Sequence, residues 1–206
     1  MALVEVLSPR AILNATEHGG LIFLRLCQTT NSIISLHRKN LGGRFHILLP
    51  LLQKLMACLF VPHAHNATPL TRPTWLPPRN PPLTTEHATA FTRILTTLCS
   101  PTVSSASFHR RREAADLVDE AKKARAYAGQ YVPQLLTYYC CLQLSSKLSA
   151  EIKDALRPGL WTMMDVVDLN MMRAMNASMG KDERSLWGSL YAEWKKFGKW
   201  NEKSEI

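Results

Sequence analysis

The sequence predicts an all-α fold, a multi-helix domain of stacked antiparallel helices, α-solenoid-like. Three observations predict it. Apolar residues recur at helical spacing in one window after another, and no alternating strand pattern persists anywhere. Capping residues and prolines stand where such windows begin. The 206 residues are 46% hydrophobic, enough for one domain to bury a core.

The elements follow in order. Residues 21–37 read as the first helix, with Leu21, Leu24, Cys27, Ile33, Ile34 and Leu36 turned inward. Leu41-Gly42-Gly43 breaks it. Residues 45–60 form a second helix, with Phe45, Leu48, Leu49, Leu52, Leu55, Met56 and Leu59 at helical spacing. It is apolar nearly all round, so it is expected to be central. Pro50 must sit in its first turn or kink it. A proline-rich loop at about 61–83 holds seven of the 12 prolines. Thr84 or Thr85 caps a helix to about residue 99, with Phe91, Ile94, Leu95 and Leu98 inward. A polar connection at 100–107 leads into a long amphipathic helix from about 113, which Pro133 kinks or divides. Leu135, Leu136, Tyr139 and Leu142 continue the apolar face. Ser149 caps a short helix to residue 156, and Pro158 starts another carrying Leu160, Trp161, Met164 and Val167. A helix at 168–175 precedes the last, at about 182–197, built on Leu186, Trp187, Leu190, Tyr191 and Trp194.

Charge is distributed unevenly. The chain carries 25 Lys+Arg and 16 Asp+Glu, a net charge of +9. All of that excess lies in residues 1–112, and residues 113–206 are balanced. The basic part is the place to look for a polyanion or an acidic protein surface. The N-terminus lacks the basic-then-apolar order of a signal peptide, and the most apolar stretch, residues 47–61, is too short to span a bilayer. Five cysteines in no framework spacing read as free thiols.

Catalytic constellations are not found. Cys58, His63 and His65 have a zinc-like spacing, but a structural site wants four ligands in paired clusters and the second pair is missing. No metal or other cofactor is therefore expected. Cys140-Cys141 lies in an apolar helical stretch, where burial raises rather than lowers a thiol pKa. There is no Gly-x-Ser-x-Gly and no glycine-rich phosphate loop. The chain reads as a non-enzyme.

Two basic clusters are candidate binding sites. Arg110, Arg111 and Arg112 precede a helix carrying Lys122, Lys123 and Arg125. Arginines grip phosphates in bidentate fashion, so this group is a candidate RNA contact, against the plainer alternative of a solvated charge run. Near the C-terminus, Trp194, Lys195, Lys196, Phe197, Lys199 and Trp200 mix aromatics with cations. Either the aromatics close the core while the lysines face water, or Phe197 and Trp200 anchor a partner.

Four blocks together resemble a known family. They are residues 41–53 (Leu-Gly-Gly-Arg-Phe-His-Ile-Leu-Leu-Pro-Leu-Leu-Gln) and residues 91–103 (Phe-Thr-Arg-Ile-Leu-Thr-Thr-Leu-Cys-Ser-Pro-Thr-Val). Next come Ala-Lys-Lys-Ala-Arg at 121–125 with Ala-Gly-Gln-Tyr-Val at 128–132. Last is the run from Leu190-Tyr191 to Lys196-Phe197-Gly198-Lys199-Trp200. In this order they are similar to the C-terminal domain of the fungal unhealthy ribosome biogenesis protein 2 family, also called nucleolar pre-ribosomal-associated protein 2. The resemblance covers about residues 35–200, leaving 1–34 as a poorly matched helical lead-in and 201–206 as a tail.

The resemblance implies a non-catalytic scaffold in the nucleus and nucleolus, acting in large-subunit (pre-60S) assembly and rRNA processing. The implied partners are a larger scaffold relative, a DEAD-box RNA helicase and small assembly factors. Pre-rRNA is a further candidate, and no membrane is implied. No catalytic residue carries over. Family members are several times longer, and the resemblance places this chain at their end. The alternative is a stand-alone helical protein–protein adaptor with no RNA role.

Overall fold

The computed structural model describes residues 18–37, 44–63, 73, 75–76, 83–99 and 126–198. The elements are α1 (Gly19–His37), α2 (Phe45–Cys58), β1 (Val61–Pro62), α3 (Thr85–Cys99) and α4 (Val132–Ser145). They continue with β2 (Ser146–Lys147), α5 (Ala150–Val166), α6 (Leu169–Ser178), α7 (Lys181–Glu193) and a π-helical turn, Trp194–Gly198. The all-α expectation holds. The two strands are two residues each and pair antiparallel, Val61 with Lys147 and Pro62 with Ser146.

The helix starts follow from their caps. Ser149 accepts the Ile152 N–H and starts α5, and Asp168 accepts the Met171 N–H at 2.8 Å and starts α6. At α3 the roles are reversed. The third-position His87 reaches back, and its Nδ1 accepts the Thr84 N–H at 3.1 Å. The Thr84 hydroxyl lies 2.8 Å from the same nitrogen.

The helices sort into two rows. In one row α3 lies between α1 and α5, and its contact with α5 is the most extensive among the described residues. His87, in the first turn of α3, meets Phe23 near the start of α1 with ring centroids 5.8 Å apart. The Thr92 hydroxyl donates to the Ala155 carbonyl at 2.8 Å, and Leu95 packs on Gly159 one turn further along both helices. The three helices of this row therefore run the same way. In the other row α2 packs on α4, and α4 also meets α6 and α7. Phe60 lies edge-on to Tyr139 at 5.9 Å, and the β1–β2 pair joins the ends of α2 and α4. Helices two apart in the described order thus lie side by side, as in stacked hairpins. One core runs between the rows, built on Phe23, Leu52, Phe60, Phe91, Leu95 and Tyr131 among others.

Several expectations need correction. The buried face of α1 is Gly19, Phe23, Cys27, Thr30 and Ile34, whereas Leu21 and Leu36 are 55% and 72% exposed and Ile33 is also exposed. α2 buries Leu48, Leu52, Leu55 and Met56 as expected, but α3 holds the central place in its row. Pro50 lies in the second turn of an unbroken α2, with its ring exposed, so water can reach the His46 carbonyl that loses its donor. Pro158 likewise does not start a helix. It lies exposed inside α5, which runs unbroken through it. Pro133 divides rather than kinks: a turn at 129–131 precedes α4, and Pro133 takes the first turn, where its missing N–H costs nothing. Most of the 61–83 loop and the helix expected at 113–125 lie outside the described residues.

Candidate functional site

The C-terminal end of the described chain builds a surface from an aromatic ladder. Trp187, Tyr191 and Trp194 follow at i, i+4 and i+7, which places them on one helix face. Their ring centroids are 5.7 Å and 5.3 Å apart. Trp187 and Trp194 are 3% and 7% exposed and belong to the core. The Trp194 indole N–H donates to Asp165 of α5 at 3.0 Å, tying the end of the chain to the neighbouring row.

The π-helical turn changes which residue faces water next. A regular helix would return Phe197, three positions after Trp194, to the buried face. The wider i→i+5 turn rotates it off that face, and Phe197 is 51% exposed. Gly198 makes the turn possible. A Cβ there would fall 2.4 Å from Trp194 Cδ1, so no larger residue fits while Trp194 holds its place. Lys196 Nζ lies 5.1 Å from the Phe197 ring centroid, and Lys195 Nζ lies 4.9 Å from that of Tyr191. Both lysines are exposed. The result is an exposed Phe197 ring with the Lys196 cation beside it, and Lys195 over Tyr191 one turn back, on a turn tied down by Trp194.

The mixed C-terminal cluster is therefore divided by the structure. Trp194 closes the core, Lys195 and Lys196 face water, and Phe197 projects. Lys199 and Trp200 lie outside the described residues, as do Arg110, Arg111, Arg112, Lys122, Lys123 and Arg125. Asp165 and Gly198 were not singled out from sequence. Nothing local links Asp165 to a tryptophan 29 residues later. Gly198, four residues after a tryptophan, was the available signal.

Beside this surface, Arg157 of α5 bonds Glu193 at 3.1 Å and Asp154 at 2.8 Å. Glu183 accepts the Gly180 N–H at 2.8 Å and the Cys141 thiol at 3.0 Å, which pins the start of α7 to α4. These two hydrogen bonds, the thiol's first, hold the Glu183 carboxyl below its usual range.

Burial sets the surroundings of the thiols. Of the five cysteines only Cys141 is not fully buried. Burial pushes Cys140 up to about 12, and burial followed by the Glu183 hydrogen bond pushes Cys141 up to about 11. Cys58 is buried at the end of α2, His63 is half-buried beyond β1, and His65 lies outside the described residues. Among the described residues no three His, Cys, Asp or Glu side chains converge as metal ligands. No described helix is long and apolar enough to cross a membrane.

Comparison with known proteins gives the family. No solved structure matches the chain. The chain is similar to the probable nucleolar pre-ribosomal-associated protein 2 of Schizosaccharomyces pombe, with 22% identity over 187 residues. That alignment covers 90% of this chain and 14% of the relative, so the chain spans about a seventh of the protein it matches. The model of the Urb2/Npa2 family matches residues 2–203, nearly the whole chain including the lead-in that resembled it least, and the chain belongs to that family.

Proposed function

We propose that this chain is a non-catalytic scaffold module of nucleolar large-subunit assembly and pre-rRNA processing. It works in the nucleus by holding assembly factors, and RNA segments with them, near one another. That raises effective concentration without chemistry. A larger scaffold relative and a DEAD-box RNA helicase are the partners this reading names. Family membership and the relative named as nucleolar and pre-ribosomal-associated support the setting.

One observation carries the binding role: Phe197, half exposed beside Lys196 on a turn anchored by Trp194 and Asp165. Exposed aromatics beside cations are favoured partner anchors, and a turn already fixed by the Trp194–Asp165 hydrogen bond lowers the ordering cost of binding. The triple variant Lys195→Glu/Lys196→Glu/Phe197→Ala should keep its fold and lose capture of large-subunit assembly factors. Retained capture by that folded variant would contradict the assignment.

The RNA contact is assigned to Arg110, Arg111, Arg112, Lys122, Lys123 and Arg125. With up to six phosphates neutralised, log affinity for single-stranded RNA should fall with log salt at a slope of up to about −4. Affinity that is unchanged between low and physiological salt would remove the RNA role and leave a protein-only adaptor.

A further inference from the structure

Helix α1 carries a second apolar strip besides the one that faces the core. At about 100° per residue, its side chains sort into three strips. Phe23, Cys27, Thr30 and Ile34 are buried in the core. On one flank, Leu24, Gln28 and Asn31 face Thr89 and Arg93 of α3 across a groove. On the other flank lie Ile22, Leu26, Thr29, Ile33 and Leu36. Among the described residues, α1 packs extensively on α3 alone, and α3 stands on the opposite flank. Ile22 and Leu26 are half-buried, Thr29 is exposed, and Ile33 and Leu36 are 39% and 72% exposed. Their spacing runs four, three, four, three, which is the repeat of a coiled-coil seam. It is kept over two heptads, about 21 Å at 1.5 Å per residue. A strand laid along this flank would present a side chain every second residue and would not match it.

The charge around this strip has one sign. Residues 18–85 contain no Asp or Glu and seven Lys or Arg. Arg25 is exposed and immediately precedes Leu26, the position that flanks such a seam on its solvent side. Arg44 and Lys54, at the start of α2 and inside it, are exposed too. We infer that this flank of α1 docks an acidic amphipathic helix of a partner protein. That helix is at least two heptads long, with aliphatic residues on its seam and Glu or Asp beside them. The apolar strip sets the partner's shape, because RNA phosphates gain nothing from Ile33 and Leu36. The charge sets its sign. The same flank of a second copy would bring Arg25 to a helix that has no carboxylate to meet it. The flank holds no residue of the C-terminal surface, so this inference and the proposed function stand or fall separately.

The test uses the whole 206-residue chain and two fluorescein-labelled helical peptides, read by fluorescence anisotropy at physiological salt. One peptide is three repeats of Glu-Ile-Ala-Ala-Leu-Glu-Ala, the other three repeats of Lys-Ile-Ala-Ala-Leu-Lys-Ala. The expected result is saturable binding of the glutamate peptide, at least tenfold tighter than of the lysine peptide. Ile33→Ser/Leu36→Ser should weaken the glutamate peptide at least tenfold with no change of charge, and Arg25→Glu should narrow the preference between the two. Because these residues are exposed, folding is preserved, and unfolding midpoints check this. Equal affinity for both peptides, no binding of the glutamate peptide at millimolar concentration, or full binding by the folded serine variant overturns the inference. So does either rival occupant. A parent chain that dimerises in sedimentation while the serine variant stays monomeric gives the flank to a second copy. Oligouridine that binds the parent more tightly than the glutamate peptide, and is lost with Arg25→Glu, gives it to RNA.

Discussion

Two glycines in long helices offer a sharp test of the packing between α3 and α5. Gly188 lies within α7, and an added Cβ would meet nothing within 4 Å. Gly159 lies within α5, and the same Cβ would stand 3.1 Å from Leu95 Cδ1, 3.2 Å from Leu95 Cβ and 3.2 Å from Thr92 Cγ2. Ala gains about 1 kcal/mol over Gly in a helix interior. At Gly188 that gain is unopposed, so Gly188→Ala should stabilise by up to about 1 kcal/mol. At Gly159 it is opposed by overpacking, which costs about 1–3 kcal/mol. Thr92 has little room to yield, since its hydroxyl is held on the Ala155 carbonyl and it is buried. Gly159→Ala should therefore range from neutral to about 2 kcal/mol destabilising. For a chain of this size 1 kcal/mol moves the melting temperature by about 2–4 °C. The assay is thermal and urea unfolding of both variants beside the parent chain. Gly159→Ala stabilising as much as Gly188→Ala would refute the close crossing of α3 and α5.

Further outcomes follow from the same geometry. Burial holds His87 below its ordinary pKa, with Glu86 and a backbone hydrogen bond to Gly20 opposing. The folded chain keeps the ring neutral, so the unfolded chain protonates first. Its contribution to stability is full above pH 6.5 and is lost as pH falls below it. Urea midpoints at pH 8, 6 and 5 should show this loss, and His87→Asn, which keeps an acceptor for Thr84, should flatten it. Removing the acceptor with Asp165→Ala should cost about 1 kcal/mol, a charged hydrogen bond discounted for solvent exposure, and should change near-ultraviolet circular dichroism. Phe197→Ala should shift stability by less than about 0.5 kcal/mol. At pH 8 the half-buried Cys141 should react with iodoacetamide about 100-fold more slowly than a free thiol, because its pKa stands near 11. Fast labelling of native protein would contradict that environment.

Much of the fold could be read from the residues, and the exceptions have physical causes. The amphipathic windows were decisive where polar residues marked the outer face, as at α3, whose Phe91, Ile94, Leu95 and Leu98 are all buried. At α1 the first turns hold Leu21, Ile22, Phe23, Leu24 and Leu26 with few polar residues to fix the phase. There the choice is tertiary. Phe23 faces inward because His87 of α3 meets it, and Leu21 is left outside. Pro158 looked like a helix start because nothing local shows that its ring would face water inside α5. The C-terminal surface was half legible. Its residue types were evident, but the division between Trp194 and Phe197 depends on a π-helical turn and a bond to Asp165, neither of which has a local signature.

The proposed scaffold role in large-subunit assembly is tested by affinity purification of the tagged chain from its own cells, with and without RNase, beside the Lys195→Glu/Lys196→Glu/Phe197→Ala variant. The parent chain should recover large-subunit assembly factors and precursor rRNA, and the variant should lose the factors. A well-expressed, folded parent chain that recovers neither factors nor precursor rRNA would contradict it.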